Sequence, residues 1–556
     1  MIEVEVHQQL RTFLREQGES YWPHHLTMAR LVARALRINR SALIQSGVSA
    51  GHYAHYRLSY LMPALLWPDA VMVIAPESIR NRLVMVEIPR LQHWMSANGM
   101  VAHKPIHIGD SSRGHQMDQW PHPNFKGLFI TSPELWLSDR LYHHNRFPHA
   151  VPIIMDGVDD LEQWVQDQLT LSLSPQDWET LMLACPEHTE TIRDIRVQLT
   201  RSIFQHPPNP HNRNLLDDTE QGRLRHLEQQ LQPVPPLPQS SCSPPCQPSP
   251  QNSFPATSNA DGESSSVPYI PAQWQRFFDK LYHHDQLMWA SIHREQGHFS
   301  LHCTPLESGP LLDPLWNQQP FVLIGNALDS TAQATTYCQK MGLGDITCLK
   351  FAPDRHHDLI QLYLPDQFPL PNTPHFQSAL LQKVRQLLCS SADAHGLTVI
   401  LIGDTPLKSQ LATTLASEFG SRLQVEQTCL EENGILVSGW DFWRNHHDVL
   451  PAPTLLVMST LPIPSLEDPL VAGRVSRYKR RHQNWFTDYL LPETLKEVQR
   501  AIAPLRNSQG IIALLDNRVN HRSYGAQVLD AMSPFARINY IDEQLFKPSS
   551  RPVLDG

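Results

Sequence analysis

The sequence predicts an α/β protein built on parallel sheets and divided into more than one domain. Apolar runs of strand length recur along the chain, namely AVMVIA, AVPIIMD, LTVILIG, GILVSG, PTLLVMS and GIIALLD. They are rich in branched side chains and close on small or turn residues, which suits strands buried on both faces. Amphipathic stretches of helical period stand between them. The 556 residues exceed what a single core supports.

Composition narrows the class further. A hydrophobic fraction of 41% is adequate for globular cores. No uninterrupted apolar run of about eighteen residues occurs, and the start MIEVEVHQQLRTFLREQ is charged, so neither a membrane span nor a secretory signal is expected. A cytoplasmic protein without a membrane partner follows as the expectation. The eight cysteines are dispersed, which fits a reducing compartment. Only Cys242 and Cys246 stand close together, in a Pro/Ser tract, and neither a disulfide nor a zinc site is assigned. A formal charge of −10 argues against coating of nucleic acid by bulk attraction but leaves room for a local basic groove. The thirty histidines occur mostly as pairs in polar surroundings, such as His143–His144 and His356–His357, and read as solvated surface residues.

In chain order, HHLTMARLVARALRI places Leu26, Ala29, Leu31, Val32, Ala35 and Leu36 on one broad apolar side of a helix. SALIQSG then reads as a short strand ending in a turn. YLMPALLWPDAVMVIAPESIRNRLVMVEIPRL reads as helix, strand AVMVIA, turn and helix, and AVPIIMDGVDDLEQW as a strand with Asp156 at its polar end. Residues 161–225 are helical and charged. Residues 233–272 are Pro/Ser-rich and too polar to offset their ordering entropy, so a disordered linker is expected. PxxP-like runs in it offer a route to protein partners. AQWQRFFDKLYHHDQLMWA is an amphipathic helix, and LTVILIGDTPLKSQLATTLASEF is strand, turn and helix. LPIPSLEDPL holds three prolines in ten residues and cannot be regular structure. PETLKEVQRAIAPLR reads as a helix with Pro492 in its first turn and Pro504 disturbing its end.

The order of the C-terminal pieces, over about ninety residues, resembles the second motor domain of the DinG/XPD family of superfamily 2 DNA helicases. The resemblance rests on Phe442 and Trp443, on Leu461 and Pro462, on DPL at 468–470, and on DYLLPE at 488–493. It is an ordered series, more specific than any one short motif. YLMPALL, FVLIGNALDS and LFITSPELWL extend it through the first half. The resemblance implies two RecA-like P-loop-type motor domains with parallel sheets, a helical insertion and the linker. The implied division is a first motor domain at 1–160, an arch-like insertion at 161–232, the linker at 233–272, the return helix and end of the first motor domain at 273–330, and the second motor domain at 331–556.

The resemblance also implies ATP, Mg²⁺ and single-stranded DNA as ligands, and the residues at the corresponding positions are unusual. The phosphate loop becomes QSGVSAGHY, with Gly47, Ser49, Gly51 and His52 as the candidate nucleotide-binding residues. Such a loop needs a Lys for the β and γ phosphates and a hydroxyl for Mg²⁺, and His52 and Tyr53 stand there instead. Aligning YLMP with the family's YLLP brings Tyr56 and Arg57 to those two places. The planar fork of Arg57 is a poor replacement for a compact ammonium. The family's Gln in the first helix corresponds to His25. The family's IIDEAH becomes DGVD: Asp156 keeps the Mg²⁺ position, Gly157 replaces the Glu that orients water, and Asp159 and Asp160 read as charges at a helix start. In QRAIAPLR, Gln499 and Arg506 match the outer positions, while Ala503 and Pro504 stand at the inner Gly-Arg pair that supplies the arginine finger. The surviving catalytic candidates are therefore Asp156, Gln499 and Arg506. Ser78, Arg80 and Asn81 fall where the family contacts single-stranded DNA. Arg474, Arg477, Lys479, Arg480 and Arg481 form a basic run able to grip phosphates or to serve as a solvated helix face. Some members carry four cysteines for an iron–sulfur cluster. This chain has none before Cys185, so no cluster is expected.

The favoured expectation is a degenerate helicase that binds single-stranded DNA with little or no ATP hydrolysis. The alternatives are an active ATP-dependent DNA helicase with variant motifs and a non-catalytic scaffold in DNA repair or replication.

Overall fold

The computed structural model describes residues 2–18, 22–47, 54–100, 104–109, 119–232, 270–283, 285–352, 359–391, 396–431, 433–447, 449–508 and 510–541. Ser49, Gly51 and His52 lie outside these residues, as does the linker apart from residues 270–272. The chain forms two compact units, one of residues 1–168, 307–465 and 475–556, the other of residues 169–306 and 466–474.

The larger unit contains two seven-stranded sheets. In the first, the order from one edge is Thr347–Lys350, Ala42–Gln45, Phe321–Gly325, Ile153–Asp156, Val71–Ile74, Leu128–Thr131 and Ile106–Ile108, with every pair parallel. The second runs Leu423–Val425, Ile435–Ser438, Leu397–Leu401, Pro453–Met458, Ile511–Leu514, Ile360–Tyr363 and Phe535–Ile538, again all parallel. The central strands VMVI, IIMD and FVLIG are buried at every position. Burial on both faces is why they read as continuous apolar runs rather than alternating ones.

Helix Leu58–Leu66 is buried at eight of its nine residues, so its end cannot be left to water. Three carbonyls there, of Ala64, Trp67 and Asp69, accept hydrogen bonds from Lys104 Nζ at 2.9, 2.7 and 2.8 Å. One ammonium thus satisfies acceptors that a buried helix terminus would otherwise leave bare. Helix Leu491–Ser508 departs from expectation. It runs on past Pro504, because Leu505 and Ile502 are pinned in the same core as Val498 and packing outweighs one missing backbone donor.

The smaller unit pairs strands Leu171–Leu173, His298–Pro305, Gln286–His293 and Arg213–Leu215 in an antiparallel sheet. Helices Pro175–Ala184, Thr189–Gln205, Asp218–Leu231 and Ala272–Leu281 share its core. This differs from the division expected from sequence, which assigned residues 273–306 to the first motor domain. Trp274 and Phe277 bury beside Trp178 in a single cluster with Phe299 and Leu301, so the return segment belongs to the insertion. Alternation in HFSLHCTP was the sequence signal for its strand. Among the described residues no helix is long and apolar enough to cross a membrane.

Lys104→Met should leave the buried Ala64 carbonyl without its donor, at about 1–3 kcal/mol before relaxation, and the part-buried Trp67 and Asp69 carbonyls to water at less. The expected outcome in urea denaturation is a lower midpoint with the slope unchanged.

Candidate functional site

Ligands of parallel α/β sheets sit beyond the carboxyl ends of the strands. Here the ends of Ala42–Gln45, Phe321–Gly325 and Ile153–Asp156 lie side by side, with Gln45 paired to Gly325 and Ile324 to Asp156. Asp156 is fully buried. Its Oδ1 accepts from the Tyr56 hydroxyl at 2.8 Å and from the Gly157 N–H at 2.9 Å. Its Oδ2 accepts from the Tyr60 hydroxyl at 2.7 Å and lies 3.6 Å from Arg57 Nε. Arg57 is itself 1% exposed, and its Nη1 reaches Glu87 Oε1 at 3.2 Å, where Arg82 Nε also arrives at 3.0 Å.

The electrostatics follow from this packing. Burial raises the Asp156 carboxyl above its usual range, while Arg57, Tyr60, Tyr56 and the Gly157 N–H pull it back. Burial opposes charge on Arg57, yet Tyr56, Glu87 and Asp156 carry its pKa above the ordinary guanidinium value. Burial, followed by the Asp156 charge, pushes both tyrosines well above their ordinary value, so both hydroxyls remain protonated donors. The carboxylate that holds Mg²⁺ through water in the family is enclosed by two phenols, a backbone N–H and a covalently attached cation.

The residues present do not fit Mg·ATP. Mg²⁺ requires near-octahedral oxygen ligation and retains several waters, whereas Asp156 has no exposed surface. At Gly157 the backbone is left-handed, with φ +76°, and a Cβ would meet Ile79 Cδ1 at 3.1 Å and Pro76 Cδ at 3.3 Å. The water-orienting Glu of the family therefore has no place at this position.

Backbone donors nearby are engaged by the chain's own side chains. Asp159 accepts from Asn326 N at 2.8 Å and Ala327 N at 3.0 Å. Gln45 Oε1 accepts from Leu328 N and Asp329 N at 3.2 and 2.9 Å, and its Nε2 donates to Thr331 O at 2.9 Å. Gly47, at φ +66°, donates its N–H to Asn326 O at 3.1 Å. The reading of Asp159 and Asp160 as simple helix-start charges is corrected, since each carboxylate makes a specific contact elsewhere. Asp160 Oδ1 receives Arg500 Nη2 at 2.8 Å. Arg500 is 9% exposed; burial opposes its charge, but Asp160, Asp159 and Glu497 raise its pKa. The pair joins the turn after strand Ile153–Asp156 of the first sheet to helix Leu491–Ser508, which packs on the second. Lys340 makes a parallel link, 3.4 Å from Glu162 and bonded to Glu493; it precedes strand Thr347–Lys350 of the first sheet, so the boundary expected at residue 331 is corrected to lie beyond that strand.

Arg506 is also corrected as a catalytic candidate. Its guanidinium is buried in the second motor domain and donates to Met532 O at 3.1 Å and Ser533 O at 2.9 Å. Gln499 sits half-buried one residue before Arg500. Ser78, Arg80 and Asn81 lie on helix Glu77–Arg82, with Ser78 and Asn81 exposed. In the basic run, Arg477 and Arg481 both pair with Glu307, at 2.6 and 2.8 Å, and Lys479 stacks over Trp485, while Arg480 is exposed. The sequence reading missed Tyr60, Gln45, Arg500 and Lys340. Tyr56 and Tyr60 stand four apart on one helical face, a spacing that was legible.

No family model matches the chain. It is 22% identical over 258 residues to the ATP-dependent DNA helicase YoaA of Haemophilus influenzae, covering 43% of this chain and 39% of that protein. It is 23% identical over 273 residues to YoaA of Escherichia coli, covering 46% and 42%. The chain thus spans about two fifths of the length of the curated relatives it matches. An apo XPD structure aligns over 92% of this chain and 100% of its own, with TM-score 0.54 and 13% identity. An XPD helicase structure aligns over 93% and 100%, with TM-score 0.55 and 12% identity. The chain is DinG/XPD-like. Its two seven-stranded parallel sheets match the RecA-like fold of those structures, and identity at this level is a likeness of fold.

Two outcomes are expected. Arg57→Ala leaves the buried Asp156 without its cation, while Glu87 keeps Arg82, and should destabilise the larger unit by about 3–5 kcal/mol, read as a shift of its urea midpoint. His25 is buried against Ser59, and burial, followed by His55 and His24, lowers its pKa from 6.5 to about 3. The unfolded chain therefore binds the proton first, so this contribution is fully present above pH 6.5 and is lost as pH falls toward about 3. Stability measured across that window should show a shallower slope in His25→Gln.

Proposed function

We propose that this chain is a helicase-fold protein that binds single-stranded DNA and does not hydrolyse ATP. The observation that carries this reading is the saturation of Asp156 by Tyr56, Tyr60, Gly157 N–H and Arg57. Phosphoryl transfer is almost entirely positioning and charge stabilisation by Lys, Mg²⁺, a water-orienting residue and an arginine finger. In this chain Tyr56, Arg57, Gly157 and the Ala503–Pro504 pair stand at those four places, the last by the motif order QRAIAPLR. Losses at groups that act as a unit remove the activity together.

The nucleic-acid part rests on different support. The curated relatives are named as DNA helicases, and the exposed Ser78 and Asn81 stand on a helix just beyond the strand Val71–Ile74 of the first sheet. The net charge of −10 means that binding draws on local donors, so it should weaken with added salt in proportion to the few phosphates contacted. The Arg500–Asp160 and Lys340–Glu493 pairs tie the two sheet-bearing halves together through protein groups, which supports a grip on DNA that needs no nucleotide cycle.

Phosphate release from Mg·ATP by the purified chain should stay at background with and without single-stranded DNA, while a titration with the same DNA at two salt concentrations shows saturable, salt-sensitive binding. DNA-stimulated turnover would refute the non-hydrolysing reading and favour an active motor. Absence of both turnover and binding would move the protein to the scaffold class.

A further inference from the structure

The antiparallel sheet of the smaller unit has two unlike sides. One side, with Met288, Ala290, Ile292, Phe299, Leu301 and Cys303, lies in the core under the helices. The other side holds a row of polar and planar groups that crosses all four strands. Cross-strand pairing sets Ser172 opposite His302, His302 opposite Trp289, and Arg213 opposite Ser291, and opposite residues share a side.

Side-chain geometry fixes the row. The His302 ring stacks on Trp289 at 4.0 Å between centroids, with 20° between planes. The Arg213 guanidinium lies over the same indole at 5.3 Å. Both imidazole nitrogens of His302 are held, Nδ1 by Ser172 Oγ at 2.8 Å and Nε2 by Ser291 Oγ at 2.9 Å. Trp289 donates its N–H to Thr304 Oγ1 at 3.0 Å. The planar groups are thus locked in register before any ligand arrives, which lowers the ordering entropy of binding. Further along, His293 and His298 face one another at 4.7 Å.

This side also inverts the sign of the chain. None of its strand positions carries a carboxylate, although the chain as a whole is acidic at −10. The local field is visible in His302, whose pKa falls to about 4 through burial, then Arg213 and His293. With His302 neutral at ordinary pH, Arg213 supplies the fixed positive charge. At one end the face is bounded by Gly473, so close to Leu287 that a Cβ would meet Leu287 Cδ2 at 2.5 Å.

We propose that this side of the sheet is a second nucleic-acid contact, a platform on which single-stranded DNA lies with its bases against the half-buried Arg213 and His302, which are held in place by the buried Trp289, and its phosphates toward Arg213 and the serine hydroxyls. Fixed planar groups, a guanidinium and an absence of acid are what unpaired bases and their backbone require. An acidic protein segment would use the charge but not the stacked planes, which is why the nucleic acid is the occupant argued. The inference rests on the reading of this protein as a binder of single-stranded DNA and adds a site outside the motor domains.

The test uses the full chain, an oligo-dT of about twenty nucleotides and an abasic strand of equal length. Ser300→Asp places a carboxylate at the position opposite Ser291 on this face, and Arg213→Ala removes the guanidinium. Each should weaken oligo-dT binding by roughly fivefold or more, with unchanged circular dichroism and melting. The wild type should bind the abasic strand more weakly than oligo-dT, and photocrosslinks from oligo-dT should map to residues 286–305. Wild-type binding of oligo-dT with both variants unaffected overturns the platform alone and leaves the motor-domain reading intact. Equal affinity for the abasic strand overturns the stacking and transfers the face to acidic partners. No binding of either strand by the wild type overturns the platform and the single-stranded DNA reading together.

Discussion

A buried carboxylate determines the character of the larger unit. Asp156 ends a central strand of the first sheet with no exposed surface, and a lone ion there would be strongly unfavourable. Everything around it is arranged to compensate: two phenols from helix Leu58–Leu66 and its entry turn, the N–H of a left-handed glycine, and Arg57 alongside. Arg57 is tied in turn to Glu87, so the charge cluster reaches from the sheet to the helical segment after the second strand. The helix that carries Tyr60 is anchored at its far end by Lys104. The carboxylate and its counterions thus form one part of the interior.

The neighbouring loops follow the same logic. Asp159 and Gln45 close around the backbone after Gly325, and a side chain at Gly325 would strike Leu328 Cδ2 at 2.5 Å and Asp159 Oδ2 at 3.0 Å. Asp160 then hands the connection to Arg500 across the domain boundary. From Asp156 the chain passes through the Val158–Asp160 turn, and the Asp160 carboxylate there meets Arg500 on helix Leu491–Ser508.

Much of the fold was legible because it depends on one-dimensional pattern. Strands buried on both faces leave unbroken apolar runs, and those runs appear in both sheets as AVMVIA, AVPIIMD, GILVSG and GIIALLD. Asp156 at the polar end of its strand was legible too, since it follows an unbroken apolar run. The partners of the charged residues were not. The bond from Arg500 to Asp160 spans 340 positions, and sequence order does not reveal such a partner. Arg506 looked like the surviving arginine because it fits the motif spacing, yet the carbonyls of residues 532–534 claim it. Pro504 looked like a helix end because local propensity was read without the core that holds Leu505. The insertion was misdivided because its sheet joins segments on both sides of a long polar tract, and chain order conceals that kind of closure.

The Asp156 cluster has a consequence for how the sequence can vary. Asp156 draws on Tyr56, Tyr60 and Arg57 at once, so substitutions at these positions are coupled rather than additive. Loss of Arg57 is costly while the buried carboxylate stays charged and far cheaper beside Asp156→Asn, which removes that charge. The positions around the cluster can drift one at a time, whereas those within it change in concert.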